Sequence, residues 1–329
     1  MIKHQCIPLD SPTEWKAALT GINHGFAHTW EHCYAMHLTT GLRTFLYCFE
    51  TDNGRIVCPI VERDFEGYVD IMKPYGFSGF VGNGDCLEFP HYWKEFARQR
   101  GYVCGYIGLN PIFGNTKYFE PSEVYQYNTV YVLDLTLSDQ ELYANLSKNR
   151  KRQLKNWDEI KSSLILDKAA TKEFFVTHYI DFIREKNAPS FYYFSKETLS
   201  FLADLENVFL VGAGDSGELT AVSVFGHTPD TGEFLFNVSI DAGRNHSTLL
   251  MWYGINRLKS LGIPNLNLGG GDNKDDGVAQ FKARFGSQKL PLGCVKQIYQ
   301  PEIYMQLCRR ASVDPSDIAG YFPAYRKPR

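Results

Sequence analysis

The residues best suited to chemistry lie in the last quarter of the chain. Gly269-Gly270-Gly271 end a strand-like run, and glycines there permit positive φ or close approach of backbone to a ligand. A plain strand-end turn calls for the same residues. Asp272, Asp275 and Asp276 follow. An aspartate in such a loop accepts a hydrogen bond, serves as a base, or is simply solvated. Lys282 stands within Phe281-Lys282-Ala283-Arg284-Phe285-Gly286. Phe281 and Phe285 are spaced i, i+4, so they bury one helix face. Lys282 is then either an exposed surface lysine or a fixed cation in a cleft. A fixed cation is suited to holding negative charge that develops on a reacting group.

Other groups carry weaker signals. Lys148, Arg150, Lys151, Arg152 and Lys155 crowd one segment. They make a solvated helix face, or an anion site for a diphosphate or a nucleic-acid backbone. Asp70 precedes the loop Lys73-Pro74-Tyr75-Gly76-Phe77-Ser78-Gly79-Phe80 and is a base, a binder or a structural residue. Asn110, after the matching strand, has the same standing. His24, His28 and His32 recur every fourth residue, yet Gly25 weakens a helix there and no zincin glutamate accompanies them. No metal is expected. No P-loop, dinucleotide fingerprint or G-x-S-x-G is present, and the eight cysteines form no C-x-x-C.

The elements that must position these residues read most clearly in the second half. Val208–Val211 and Leu219–Phe225 flank turn residues from Gly212 to Gly217, which gives a hairpin. Phe234, Phe236, Val238 and Ile240 alternate as a third strand. A helix spans about Ser247 to Leu261, with Met251, Ile255 and Leu258 on one face, Gly262 just past its end and Pro264 beyond. Asn265–Leu268 is a fourth strand. The first half repeats the order. Thr44–Phe49 and Arg55–Val61 flank Asp52-Asn53-Gly54, a strong hairpin turn. Tyr68–Met72 is a strand, Phe89–Arg100 a helix stopped by Gly101, and Tyr102–Gly108 a strand. Hairpin glycines 54 and 217 and helix-stop glycines 101 and 262 are separated by nearly equal stretches, as a duplicated fold requires. Between the halves lie the strand Val130–Leu135 and an S-x-x-E capping box at Ser138 and Glu141. A further helix, about Phe174 to Lys186, precedes the aromatic run Phe191-Tyr192-Tyr193-Phe194. After about Pro291 the chain reads as strand and short helix.

Bulk composition narrows the function classes. With 329 residues, 44% of them apolar, the chain can bury large cores, and its length favours two domains. A formal net charge of −3 is no footprint for nonspecific nucleic-acid binding. No stretch approaches about 20 apolar residues, so no membrane span is expected. The first residues lack the apolar run of a signal peptide. Reduced thiols and a cytoplasmic location follow as expectations.

The sequence resembles the Fem-type branch of the GNAT superfamily, whose members form peptidoglycan cross-bridges or N-acylate amino sugars. Four segments carry the likeness: Lys73 to Gly79, Asn149 to Leu154, Tyr192-Tyr193-Phe194, and Leu268 through Gly271 with Asp275-Asp276 and Phe281 to Gly286. The resemblance implies an α/β (α+β) fold of two tandem GNAT-like domains, each a mixed central sheet flanked by helices. It implies that Lys282 stabilises the oxyanion or leaving group. It places the loop of Lys73, Tyr75 and Gly76 against the acceptor, with Tyr193, Gly269, Gly270, Gly271, Asp275 and Phe281 also toward substrate. It places the acyl donor along the third core strand, at Asn237, Val238 and Ser239, and the donor's diphosphate at the next helix start, at Arg244, Asn245, His246 and Ser247. The usual glycine-rich turn, Q/R-x-x-G-x-G/A, is absent, so direct contacts from Arg244 and Ser247 would replace it.

The resulting expectations are specific. Residues 1–136 form one GNAT-like domain and 137–329 a second that carries the donor site. The protein transfers an acyl group from acyl-CoA to the amine of a nucleotide-linked amino-deoxysugar for bacterial surface polysaccharide, with Lys282 and Asp70 catalytic. No membrane partner is expected. Nucleic acid enters only in the alternative, an aminoacyl-tRNA-dependent transferase acting on a peptidoglycan precursor, which the basic segment from Lys148 to Lys155 favours. The absence of a sustained heptad insertion favours acyl-CoA. A non-catalytic binding protein of the same fold is the third possibility.

Overall fold

The computed structural model describes residues 2–84, 86–215, 217–271 and 276–327. Along the chain come β1 (Lys3–Pro8), α1 (Pro12–Leu19), α2 (Trp30–Thr40), β2 (Arg43–Thr51), β3 (Gly54–Phe65), β4 (Tyr68–Met72), β5 (Val81–Gly82), α3 (Phe89–Gln99) and β6 (Tyr102–Gly108). There follow β7 (Val124–Asp134), α4 (Asp139–Asn145), α5 (Lys148–Gln153), α6 (Trp157–Ile160), α7 (Lys168–Glu185), α8 (Lys196–Asp204), β8 (Val208–Asp215), β9 (Glu218–His227) and β10 (Gly232–Ser239). The last elements are α9 (Ser247–Ser260), β11 (Asn265–Asn267), α10 (Gly277–Ala283), β12 (Gln288–Ile298) and α11 (Pro301–Arg310).

These elements form two compact units, Met1–Tyr127 with Pro291–Arg329, and Asn128–Leu290. The sequence boundary at 136/137 ran the second domain to the chain end. Here the chain instead returns to the first unit within β12, whose residues Cys294–Ile298 pair antiparallel with β6. That pairing gives β6 a second neighbour, which its own half of the sequence does not supply.

In the first unit the strand order is β1-β2-β3-β4-β6-β12, with β5 beside β3. Among its described residues only β4 and β6 are parallel. Both faces are covered, as alternation along β2 shows. Phe45, Tyr47 and Phe49 pack with Phe89 and Trp93 of α3, while Leu46 and Cys48 pack with Trp15 and Cys33 from α1 and α2. The Asp52-Asn53 turn closes β2 on β3 at the expected place, with Thr51 opposite Gly54.

In the second unit the order is β7-β11-β10-β9-β8, and among its described residues only β10 and β11 are parallel. The fold class is therefore as expected: a mixed sheet flanked by helices in each unit. The expected stripe of α9, Met251, Ile255 and Leu258, packs on Val211, Ala213 and Phe225. Gly254 lets that helix approach the sheet, since a Cβ there would stand 2.2 Å from the Phe225 ring. On the other face Phe236 meets Phe175, Tyr179 and Phe194. Gly212, expected in a turn, lies inside β8 and bridges Ile165. The space a side chain would take there is filled by Leu219 and Thr171. Among the described residues no helix is long and apolar enough to cross a membrane.

Candidate functional site

Each unit holds one parallel pair of strands, and the two pairs differ. In the first unit β4 pairs with β6 at Val69↔Tyr102, Ile71↔Gly105 and Met72↔Tyr106, and the Lys73 N–H extends the ladder to the Tyr106 carbonyl at 3.1 Å. With β3 on its other edge, β4 is paired along its length. In the second unit β10 and β11 share only two rungs, Gly232↔Leu266 and Glu233↔Asn267. The chain after β11 then follows β7. The Leu268 N–H donates to the Tyr131 carbonyl at 2.8 Å, and the Tyr131 N–H to the Gly269 carbonyl at 3.1 Å. Gly269, at φ +75°, makes the turn, and its N–H donates to Asn267 Oδ1 at 2.8 Å. From Phe234 to Ser239, β10 therefore has β9 on one edge and no strand among the described residues on the other. A bulge between Phe234 and Phe236 also leaves Leu235 opposite no residue of β9. An open edge of this kind takes an extended, amide-bearing chain as an added strand.

The glycine turn and Lys282 meet in the same unit. The Asp276 carboxylate caps α10 by accepting the Ala279 N–H at 2.7 Å. One turn on, Lys282 is buried, and its ammonium donates to the Gly270 carbonyl at 2.5 Å. The Asn128 amide donates to the Gly271 carbonyl at 2.8 Å. Gly270 must lack a side chain, because a Cβ would stand 2.8 Å from the Thr129 carbonyl oxygen. Lys282 is thus a cation fixed against the loop that leaves the open edge. Asp272 and Asp275 lie outside the described residues.

Phe281 and Phe285 bracket a residue whose role the sequence left open. Arg150 is 5% exposed, unlike the outward-facing Lys148, Arg152 and Lys155 of the same segment. Its Nη1 donates to Thr248 Oγ1 at 2.7 Å and Gln153 Oε1 at 2.8 Å, and its guanidinium lies 4.4 Å from the Phe281 ring centre and 5.0 Å from that of Phe285. Burial, and then the neighbouring Arg284, lower its pKa to about 10. Arg150 ties α5 to the first turn of α9 and to α10, so the basic run is not a uniform solvated face.

The expected donor residues follow one another from β10 into α9. Asn237 accepts from Ser223 Oγ at 2.8 Å, and Val238 and Ser239 are buried. A 3₁₀ turn, Asp241–His246, carries Arg244, Asn245 and His246, and α9 begins at Ser247. Arg244 is ion-paired with Glu185 at 2.5 Å and Asp241 at 2.8 Å. A diphosphate there would have to compete with two carboxylates. Tyr193 and Phe191 are exposed, while Phe194 is buried on Phe236.

In the first unit the loop after β4 is held by side chains at every carbonyl from Pro74 to Gly79. The Lys73 ammonium donates to Pro74 O at 3.2 Å and Gly76 O at 2.5 Å. His32 Nε2 donates to Tyr75 O at 2.6 Å, Asn110 Nδ2 to Phe77 O at 3.2 Å, Asn115 Nδ2 to Ser78 O at 3.0 Å and His28 Nε2 to Gly79 O at 3.0 Å. Burial holds both histidines neutral. It lowers the His28 pKa to about 3, helped by the neighbouring His24, and that of His32 to about 4. Two members of the histidine repeat, His28 and His32, are thus loop anchors, while His24 bonds the Ile22 carbonyl at 2.7 Å, and a 3₁₀ turn at Phe26–His28 breaks the repeat before α2 starts. Among the described residues no three His, Cys, Asp or Glu side chains are grouped to hold a metal ion.

Asp70, a candidate base on sequence, is fully enclosed by donors. Its carboxylate accepts from Arg63 at 2.6 and 2.7 Å, from Arg326 at 2.6 Å and from the Tyr325 hydroxyl at 2.9 Å. With its lone pairs so occupied, it is a tie between β4 and the C-terminal segment rather than an acceptor of a substrate proton. Sequence reasoning missed this because Arg326 lies at the opposite end of the chain.

Comparison with solved structures places this fold. The structure of FemX superposes with a TM-score of 0.67 at 11% identity, over 92% of this chain and 99% of that one. The L-PGS structure from Bacillus licheniformis gives 0.56 at 13% identity, over 91% and 96%. The C-terminal domain of a putative lysylphosphatidylglycerol synthetase from Agrobacterium fabrum gives 0.56 at 14%, over 88% and 91%. At such identities the likeness is one of fold. No protein-family model and no curated protein matches the sequence. The likeness to FemX is one to the Fem-type fold, which the sequence led us to expect.

Proposed function

We propose that this protein is an N-acyltransferase whose second unit takes the acyl donor along the open edge of β10. The supporting observation is the contrast between the two parallel ladders, closed at β4–β6 and open beyond Glu233 and Asn267. The donor's amide-bearing arm pairs with Phe234–Ser239, which brings its carbonyl toward the Gly269–Gly271 turn. A neutral amine attacks the carbonyl carbon, and the C–N bond forms. The Lys282 ammonium stabilises the tetrahedral oxyanion. Collapse breaks the bond to the leaving group, which takes up the proton lost by the amine. In this reading the donor is an acyl-CoA and the acceptor a nucleotide-linked amino sugar, with Lys73, Tyr75 and Gly76 on the acceptor side.

A second reading, aminoacyl transfer from tRNA, has its own support. The sequence lacks the glycine-rich diphosphate turn, and Arg244 is already paired with Glu185 and Asp241. The fold neighbours include proteins named FemX and lysylphosphatidylglycerol synthetase. Thermal unfolding separates the two readings. Coenzyme A at 100 times its dissociation constant adds about 2.7 kcal/mol of stability. A clear rise in Tm supports acyl-CoA. No rise at millimolar ligand, with retention of aminoacyl-tRNA that falls steeply with salt, supports tRNA. If neither donor binds, the transferase reading fails and a non-catalytic role for the fold replaces it.

A further inference from the structure

We propose that the backbone amides of Gly76, Phe77 and Ser78, with the Ser78 hydroxyl, form a binding site for a phosphate oxyanion. In a trans peptide the N–H of one residue points opposite to the carbonyl of the residue before it. All peptide bonds of this loop are trans. The carbonyls of Tyr75, Gly76 and Phe77 are turned onto His32, Lys73 and Asn110. The N–H groups of Gly76, Phe77 and Ser78 are therefore turned away from those donors. Among the described residues no protein group accepts a hydrogen bond from any of these three amides.

The Ser78 side chain supplies an independent observation. Ser78 is 0% exposed, and its hydroxyl has no hydrogen-bond partner among the described residues. Buried donors without partners are rare in folded proteins and mark a place that a ligand or bound water completes. Gly76, at φ +105°, sits where a Cβ would press on Ala27 at 2.9 Å and His32 Nε2 at 3.1 Å. The backbone there is accordingly bare and fixed in direction. Successive amides with one such left-handed residue are the usual construction of an anion-binding concavity. His32, Lys73 and Asn110 act as positioning residues, each fixing one peptide plane. A phosphate fits three amides and a hydroxyl better than an amine or an apolar chain does, since all four groups are donors. The assignment deepens the acceptor side of the proposed acyl transfer, and it rests on that reading only for its occupant in the cell.

The test uses the full chain labelled with ¹⁵N-glycine, ¹⁵N-phenylalanine and ¹⁵N-serine in separate samples. Ser78 is assigned by the peak that Ser78→Ala removes. Titration with inorganic pyrophosphate is expected to move the Gly76, Phe77 and Ser78 amides downfield together. Ser78→Ala is expected to weaken pyrophosphate binding about tenfold, with an unfolding midpoint matching wild type. Uridine diphosphate moving the same amides more tightly than pyrophosphate supports a nucleotide-linked occupant. Acetate moving them equally well would overturn the phosphate assignment in favour of a carboxylate. The site itself is overturned if pyrophosphate leaves these amides unmoved at tens of millimolar, in which case water alone completes Ser78. Donor turnover is measured on the same sample. Anion binding without turnover removes the acyl-transfer reading and keeps the site; turnover without anion binding does the reverse.

Discussion

Lys73 and Lys282 make the same bond in the two units. Each donates its ammonium to a glycine carbonyl, Gly76 or Gly270, in the loop that leaves a parallel pair of strands. Their surroundings differ. Beside Lys73 the ladder is closed, and His28, His32, Asn110 and Asn115 hold the rest of the loop. Beside Lys282 the ladder ends after two rungs, and β10 keeps an open edge. Two halves of similar construction thus differ in how far their two parallel strands run together, which leaves one loop beside a closed ladder and the other beside an open edge.

The largest effect that would break this comparison lies at Asp70. If the carboxylate is a brace, Asp70→Asn strands two arginines inside the first unit and costs about 3–5 kcal/mol in urea unfolding. Turnover per folded molecule should stay unchanged; a loss of turnover with stability intact would restore Asp70 as a base. Next is Lys282→Met, which keeps the packing of the stem. Loss of one oxyanion donor is expected to lower kcat about 10²- to 10³-fold, with little change in the KM of either substrate. A kcat within threefold of wild type would remove Lys282 from the mechanism.

The buried histidines sharpen the contrast through pH. Unfolded histidine titrates near 6.5, whereas His28 and His32 fold with values of about 3 and about 4. Below pH 6.5 the unfolded chain binds protons that the folded one does not, so stability falls as pH drops. The loss should run from about pH 6.5 to about pH 3 and level off below both folded values. At about 1.4 kcal/mol per unit, His32 alone accounts for roughly 3 kcal/mol. His32→Gln should flatten the slope of urea midpoint against pH; an unchanged slope would contradict the assignment. The smallest expected effect is that of Lys73→Met, a rise of about tenfold in acceptor KM with kcat nearly preserved.

What was legible in the sequence was local. Alternation gave β10, the Asp52-Asn53-Gly54 turn gave the first hairpin, and Gly262 marked the end of α9. Lys282 stood out because the triple glycine and the flanking phenylalanines are near it in sequence. The anchors of the Lys73–Phe80 loop were not legible. His28 to Gly79 and His32 to Tyr75 are side-chain bonds to distant carbonyls, and a carbonyl is the same in every residue type. The open edge of β10 depends on β11 stopping at Asn267, a length that no residue pattern announces. The return of β12 to β6 was hidden for the same reason, because pairing partners far apart leave no periodic mark.

The most direct test of the open edge as the donor site is hydrogen exchange, read by mass spectrometry with and without bound donor. Acetyl-CoA and an aminoacyl-tRNA are each tried. The expected result is slowed exchange in peptides covering Gly232–Ser247 and unchanged exchange in those covering Tyr68–Lys73. Donor binding that protects Tyr68–Lys73 instead, or that leaves Gly232–Ser247 unprotected, would contradict the assignment of the donor to β10.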